Sequence, residues 1–341
     1  MRGKIGGSVL ALMSALVAKE GESRPKVACT LPTIEAIARE IGGDRIETFS
    51  LAAGDQDPHF VSPTPSLMNR VRSAGALLEL GMQLEIWADD VANGSGNPKL
   101  FRGAAGRVAV ASGIPKLEVP AVLSRAQGDI HPEGNPHLWL DPMRAKMMAE
   151  NVAKALATIA PGDASYFAER KKDFQQRVDR AFFGDDLLAL VGTRKLSRLV
   201  LDGSLHQFLD TTELDGKKLR ERTGGWLARA ASLRGRKVVE FHRVWAYFAQ
   251  AFGMTIVGDV EEKPGIQPGP RHLEELSGAI RREGVTLVLV DNFYDPGSAR
   301  RVAQGGGARV VVLPSQVGGE KGVATYFDLI DHIVGRLTAR P

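Results

Sequence analysis

One cysteine, Cys29, is all that the 341-residue chain carries, so no disulfide can close within it. Aromatic residues are scarce at 6%, which weighs against a cleft built from aromatic platforms for organic solutes. Charge of one sign is not in excess either: 44 Lys and Arg stand against 40 Asp and Glu. The two signs interleave, as in RKKDFQQRVDR. That pattern reads as solvated helix faces and argues against a nucleic-acid partner, which needs a one-signed patch. Beyond the first residues no uninterrupted apolar run reaches the ~18 residues of a membrane-spanning helix. There is no repeat at solenoid spacing and no His-Glu-x-x-His signature of a zinc protease. Histidine is limited to seven residues.

The first residues are different in kind. Arg2 and Lys4 make a basic start, Ile5 to Ala18 form a short apolar run without charge, and a polar stretch follows. This layout predicts a secretory signal peptide over residues 1–23, with cleavage after about residue 18 to 23. An exported chain without disulfides draws its stability from its core or from a ligand. Cys29 lies in the strand-like KVACT, not directly behind the apolar run, and reads as a buried small hydrophobe and not as a lipid anchor.

The length predicts two domains, and the pattern agrees. KVACT, RIETFSL, ALLEL and GRVAVAS read as strands. Between them come the amphipathic helix PTIEAIAREIGG and helical PSLMNRVRSAG and MQLEIWADDVA. The alternation restarts at residue 236 with strands RKVVEF, MTIVGDV, VTLVLVD and ARVVVLPS. Its helices are HRVWAYFAQAFG, PRHLEELSGAIRREG, GSARRVAQGGG and VATYFDLIDHIVGRL. Strands alternating with helices of about 10 residues imply parallel βαβ units, hence an α/β fold with two such halves. In the middle, 141–161 and 162–182 are helices, the second highly charged with Tyr166, Phe167, Phe174 and Val178 as its apolar positions. Such a helix suits a strut between two α/β regions. Residues 184–232 give no clear pattern.

Two of the histidines share a setting. DQDPHF and GNPHLWLDP each place a histidine, His59 or His137, directly behind a proline in a polar loop. The proline restricts the backbone and lowers the entropy lost when the ring is fixed. Ligands of open α/β sheets bind beyond the carboxyl ends of the strands. His59 lies past the second strand, His242 directly follows RKVVEF, and Asp291 and Asp295 end and follow VTLVLVD. Three imidazoles and one carboxylate form a plausible tetrahedral zinc site, with Asp57 and Asp141 as acceptors for the outer ring N–H. Spacing alone leaves this open, because the gaps are too long for a short zinc motif and loop histidines often serve only as surface groups.

DQDPHF, NPHLWLDP, EFHRVWAYFAQAFG and VDNFYDP, in this order after a signal peptide, resemble the zinc- and manganese-class metal-binding solute receptors of bacterial ABC importers. The resemblance covers roughly residues 26–182 and 233–338. It implies two α/β lobes with parallel sheets, joined by one long rigid helix, with the metal in the cleft between them. On this reading the chain divides into residues 24–160, a linking helix at 161–183 and a second lobe at 184–341. The implied metal ligands are His59, His137, His242 and Asp295, while Asp291 matches a strand-end acid that is not a ligand. A histidine at position 242, where a glutamate would go with manganese, implies zinc as cargo. Glu240, two residues earlier, is expected to point away. Manganese or iron is the alternative cargo, and a zinc-dependent hydrolase the rival function. The implied partners are the ABC permease and, further, a periplasmic metallochaperone; the implied setting is a monomer in the periplasm. Asn135 stands where the family more often has Asp, residues 184–232 exceed the usual length, and the histidine-rich loop of zinc receptors is missing. His131 lies near that position and is a candidate for transient capture. His206 is a lesser candidate for a further contact, and His272 and His332 are expected on exposed helix faces.

Overall fold

A computed structural model describes residues 24–121, 131–261 and 266–339; the expected signal peptide lies outside them. The first half runs β1 (Lys26–Cys29), α1 (Pro32–Gly42), β2 (Glu47–Ser50), α2 (Pro65–Val71), β3 (Ala76–Glu79), α3 (Trp87–Ser95) and β4 (Arg107–Ala109). Then come α4 (Pro142–Ile159) and α5 (Ala164–Phe183). The stretch that gave no pattern folds as short helices α6 (Asp185–Val191), α7 (Thr193–Leu201) and α8 (Leu205–Thr211). A small hairpin of β5 (Glu213–Leu214) and β6 (Lys217–Lys218) and helix α9 (Gly225–Arg229) complete it. The second half runs β7 (Lys237–Glu240), α10 (Ala246–Phe252), β8 (Thr255–Asp259), α11 (Pro270–Glu283), β9 (Leu287–Asp291), α12 (Gly297–Gly306), β10 (Arg309–Leu313) and α13 (Tyr326–Thr338).

The strands form two parallel four-stranded sheets, ordered β2-β1-β3-β4 and β10-β9-β7-β8. In each, the first strand of the half is central and the chain reverses direction beside it, which opens a crevice at the carboxyl edge. Helix α1 shows how the pattern produces this. Pro32 starts it, Gly43 at φ 54° ends it, and Ile34, Ile37 and Ile41 are wholly buried. Helix α5 is polar apart from one stripe in which Phe167, Phe174, Val178 and Phe182 are buried. That stripe packs on α1 and α4 of the first half and on α9 toward the second.

One apolar core passes through both halves, joining α4 and α5 to α10 and α13, and each sheet has a smaller cluster of its own. Buried polar bonds cross between the halves as well. Thr33 Oγ1 donates to Gln316 Oε1 at 2.6 Å, Trp139 Nε1 to the Ser315 carbonyl at 2.6 Å, and the Tyr326 hydroxyl to the Trp139 carbonyl at 3.0 Å. Near the crevice the contact is backbone on backbone: a Cβ on Gly54 would come within 2.4 Å of the Gly318 and Gly319 main chain. No helix among the described residues is long and apolar enough to cross a membrane.

Two local expectations shift. The helix expected from residue 82 starts at Trp87, because Met82 and Gln83 take left-handed φ values of 60° and 61° in a turn after β3. The helix expected from His242 starts at Ala246, which leaves His242 in the turn beyond β7.

Candidate metal centre

The carboxyl ends of the strands bring His59, His137 and His242 together. One ring nitrogen from each lies within 4.8 Å of the others. His59 comes from the loop after β2, His242 from the turn after β7, and His137 from the long connection out of β4 that leads into α4. The ring centroids are 5.5 Å apart for His59 and His137, and 5.4 Å for His59 and His242.

The two Pro-His loops use one local device. In Asp57-Pro58-His59, Asp57 Oδ1 accepts both the His59 backbone N–H at 3.0 Å and His59 Nδ1 at 2.7 Å. In Asn135-Pro136-His137, Asn135 Oδ1 accepts the His137 N–H at 2.9 Å and Nδ1 at 3.0 Å. A short side-chain acceptor two residues ahead folds the chain back on itself, and the proline between them stiffens the turn. His242 reaches the same state differently, with Nδ1 2.6 Å from Glu261 Oε2 just past β8. Every Nδ1 thus meets an oxygen acceptor, an arrangement that favours the proton on Nδ1 and leaves Nε2 to bind a metal.

The surroundings hold these rings in place. Trp87 Nε1 donates to the Pro58 carbonyl at 2.8 Å. Asn135 Nδ2 donates to the Arg243 carbonyl at 2.8 Å, and the Tyr247 hydroxyl donates to the Asn135 carbonyl at 2.6 Å. The His137 ring sits edge-on to Trp139 at 5.2 Å. Burial, and then the neighbouring His59, His242 and His131 rings, hold His137 well below the usual 6.5, so it is neutral at pH 7. Burial pushes the Asp57 carboxyl up, but the hydrogen bond and charge of His59 push it down further, and it ends below the usual carboxylate range.

Asp295 does not join the cluster. It is exposed, and its Oδ1 accepts the Gly297 N–H at 3.1 Å at the start of α12. An aspartate just ahead of a helix can spend a carboxylate oxygen on a first-turn N–H, here that of Gly297, without any metal. Asp141 is likewise not an acceptor for His137: it accepts the Met143 N–H at 2.7 Å at the start of α4 and pairs with the fully buried Arg144. Asn135 takes that role. Glu240 is buried and accepts the Trp245 N–H at 2.8 Å, apart from the cluster, as expected. Asp291 is fully buried at the end of β9, and burial pushes its carboxyl up to about 7.

His131 Nε2 is 3.2 Å from His59 Nε2. Two nitrogens on one tetrahedral zinc lie about 3.3 Å apart, given Zn–N bonds of about 2.0 Å. His206 is elsewhere, its Nε2 3.0 Å from the Ala251 carbonyl oxygen. His272 and His332 sit on α11 and α13, half-buried and not exposed, against the Asp259 carbonyl at 2.9 Å and Glu320 at 3.1 Å. Sequence reasoning missed Glu261 and Asn135, although both carried a signal. Glu261 follows a strand end, and Asn135 repeats the place of Asp57 two residues before a Pro-His histidine.

Two α/β lobes that offer imidazoles from both sides of the crevice between them define a metal-binding solute receptor. The chain belongs to the family of the zinc-uptake complex component A, periplasmic (ZnuA), whose model matches residues 27–181 and 215–340. The unmatched stretch between them contains α6, α7 and α8. The family is one of binding components of metal transport, not of enzymes.

Relatives agree. The iron-binding protein YfeA of Yersinia pestis is 24% identical over 91% of this chain and 84% of its own length. The high-affinity zinc uptake protein ZnuA of Brucella abortus is 23% identical over 52% of this chain, a match spanning only 41% of that protein. Among solved structures, the periplasmic zinc-binding protein TroA of Treponema pallidum superposes with a TM-score of 0.67 at 20% identity, covering 93% of this chain and 98% of its own. A ZnuA crystal structure gives 0.66 at 20% identity over the same shares.

Proposed function

We propose that the protein captures a divalent transition metal, zinc ahead of manganese or iron, outside the cytoplasmic membrane and delivers it to the permease of an ABC importer. The observation that carries this reading is the convergence of His59, His137 and His242 with every Nδ1 tied to an oxygen acceptor. Relatives named for zinc, for iron and for manganese support the class of cargo. The choice of zinc rests on donor type, since imidazole suits zinc while manganese favours oxygen.

The ion is held by the three histidines and a fourth ligand. Asp295 takes that place if its loop turns inward; His131, beside His59 but outside the three-histidine group, is the other candidate. Residues 24–160 and 184–341 act as the two lobes and 161–183 as the link. Calorimetry of the mature chain with zinc, manganese and iron is the test. One tight site with zinc bound most strongly is expected; tighter manganese binding would move the assignment to that metal, and no metal binding would end it.

Export follows from the first residues, Arg2 and Lys4 ahead of an apolar run. The mature protein acts as a monomer in the periplasm, without a lipid anchor, and takes metal free or from a metallochaperone there. Intact mass of the exported protein should lack residues up to about 18 to 23. Retention of Met1 would refute export by this route, and a lipid on Cys29 would refute the free form. A dimer mass in sedimentation with zinc present would refute the monomer.

A further inference from the structure

Tyr294 follows β9 in the second lobe, yet its hydroxyl donates to Asp57 Oδ2, in the first lobe, at 2.8 Å. The other oxygen of the same carboxylate, Oδ1, takes the His59 ring and the His59 N–H. Asp57 therefore has one oxygen on each side of the crevice. The Tyr294 ring is braced for this contact: it stacks on Phe241 at 4.9 Å and 25°, and lies 5.8 Å from the His242 ring. Burial, with the Asp57 and Asp291 charges behind it, pushes the phenol far above its usual range, so the hydroxyl stays a donor.

A carboxylate held at one oxygen can still rotate, and rotation carries its partner imidazole with it. A donor on the second oxygen stops that rotation. Outer groups of this kind set ring orientation and ligand basicity, and losing one typically weakens metal binding by about 10- to 100-fold. The donor belongs to the lobe that also supplies His242, so it reaches Asp57 only while the lobes are together.

We propose that Tyr294 is a positioning residue whose cross-lobe hydrogen bond to Asp57 fixes the orientation of His59 toward the metal and so slows release of the ion. This rests on the metal-capture reading.

The test is Tyr294→Phe, which keeps the ring and removes the hydroxyl, with zinc release to a chelator followed by stopped flow and affinity by competition. Release about tenfold faster and affinity weaker by a similar factor are expected. In an Asp57→Ala background, which has no carboxylate to hold, the same substitution should add nothing. In the metal-free protein Tyr294→Phe should also shift the NMR signals of the His59 ring nitrogens, a readout independent of metal. Wild-type release and affinity in Tyr294→Phe would overturn the proposal. So would an equal loss in the Asp57→Ala background, which would place the effect in packing on Phe241 and His242. A wild-type chain that takes no zinc overturns the capture reading first, and is seen before any substitution is made.

Discussion

Replacing His137 by alanine is expected to weaken zinc binding by roughly two orders of magnitude or more, since one of four ligands is lost and a tetrahedral shell is opened. His137 is the deepest of the three, 2% exposed, and water reaches its place poorly. His59→Ala and His242→Ala should act in the same direction, while His206→Ala, remote and tied to the Ala251 carbonyl, should change little. Competition with a chromogenic chelator reads all of them. If the three cluster variants kept wild-type affinity, the site would be misplaced. The fourth ligand is settled by a further pair. A loss confined to His131→Ala assigns the imidazole beside His59, and a loss confined to Asp295→Ala means that the exposed carboxylate turns inward when the ion arrives.

Zinc should also stabilise the fold, and the gain should shrink in acid. The ligands come from both lobes, so the ion binds only the assembled crevice, and at free zinc ~1,000 times the dissociation constant the gain is about 4 kcal/mol. For a chain of this size that corresponds to roughly 5 to 10 °C in melting temperature. Protons compete because only a neutral imidazole binds metal; an imidazole of ordinary pKa, about 6.5, is protonated ~30-fold over at pH 5. The metal-free fold follows the same sign. His137 is held below its usual 6.5, so above that value both folded and unfolded chains have it neutral and it contributes no pH dependence. Below 6.5 the unfolded chain takes up a proton that the folded chain refuses, and stability falls until the lowered value is reached. Melting with and without zinc at pH 7.5 and pH 5 should give a large shift at the first and a much smaller one at the second. Equal shifts would mean that carboxylates hold the metal, and would move the assignment toward manganese.

How much of this could be read in the chain depended on how local each signal was. The strands and the helices α1, α4, α5, α11 and α13 followed from apolar periodicity, because burial on one face is written into neighbouring residues. The Pro-His pair pointed to its loops for a similar reason: acceptor, proline and histidine are adjacent. Asp295 shows the limit. Asp-Pro-Gly at a helix start fits a ligand loop and a helix cap equally well, and only position in three dimensions separates them. Residues 184–232 escaped because their helices are short and their apolar positions too few to fix a period. The Tyr294–Asp57 bond spans 237 positions, and nothing near either residue announces the other.

The three acceptors behind the histidines differ in charge. Asp57 and Glu261 are carboxylates, and Asn135 is a neutral amide. An imidazole that binds a metal is neutral, so with an ion in place the acceptors contribute two negative charges, each one hydrogen bond behind a ligand. A doubly charged cation brings the sum to zero. A monovalent ion would leave one negative charge uncompensated, and a trivalent ion would leave one positive charge where water is largely excluded, which is costly. The neutral amide therefore leaves the three acceptors balanced against a divalent ion, and a carboxylate at position 135 would add one further negative charge behind His137.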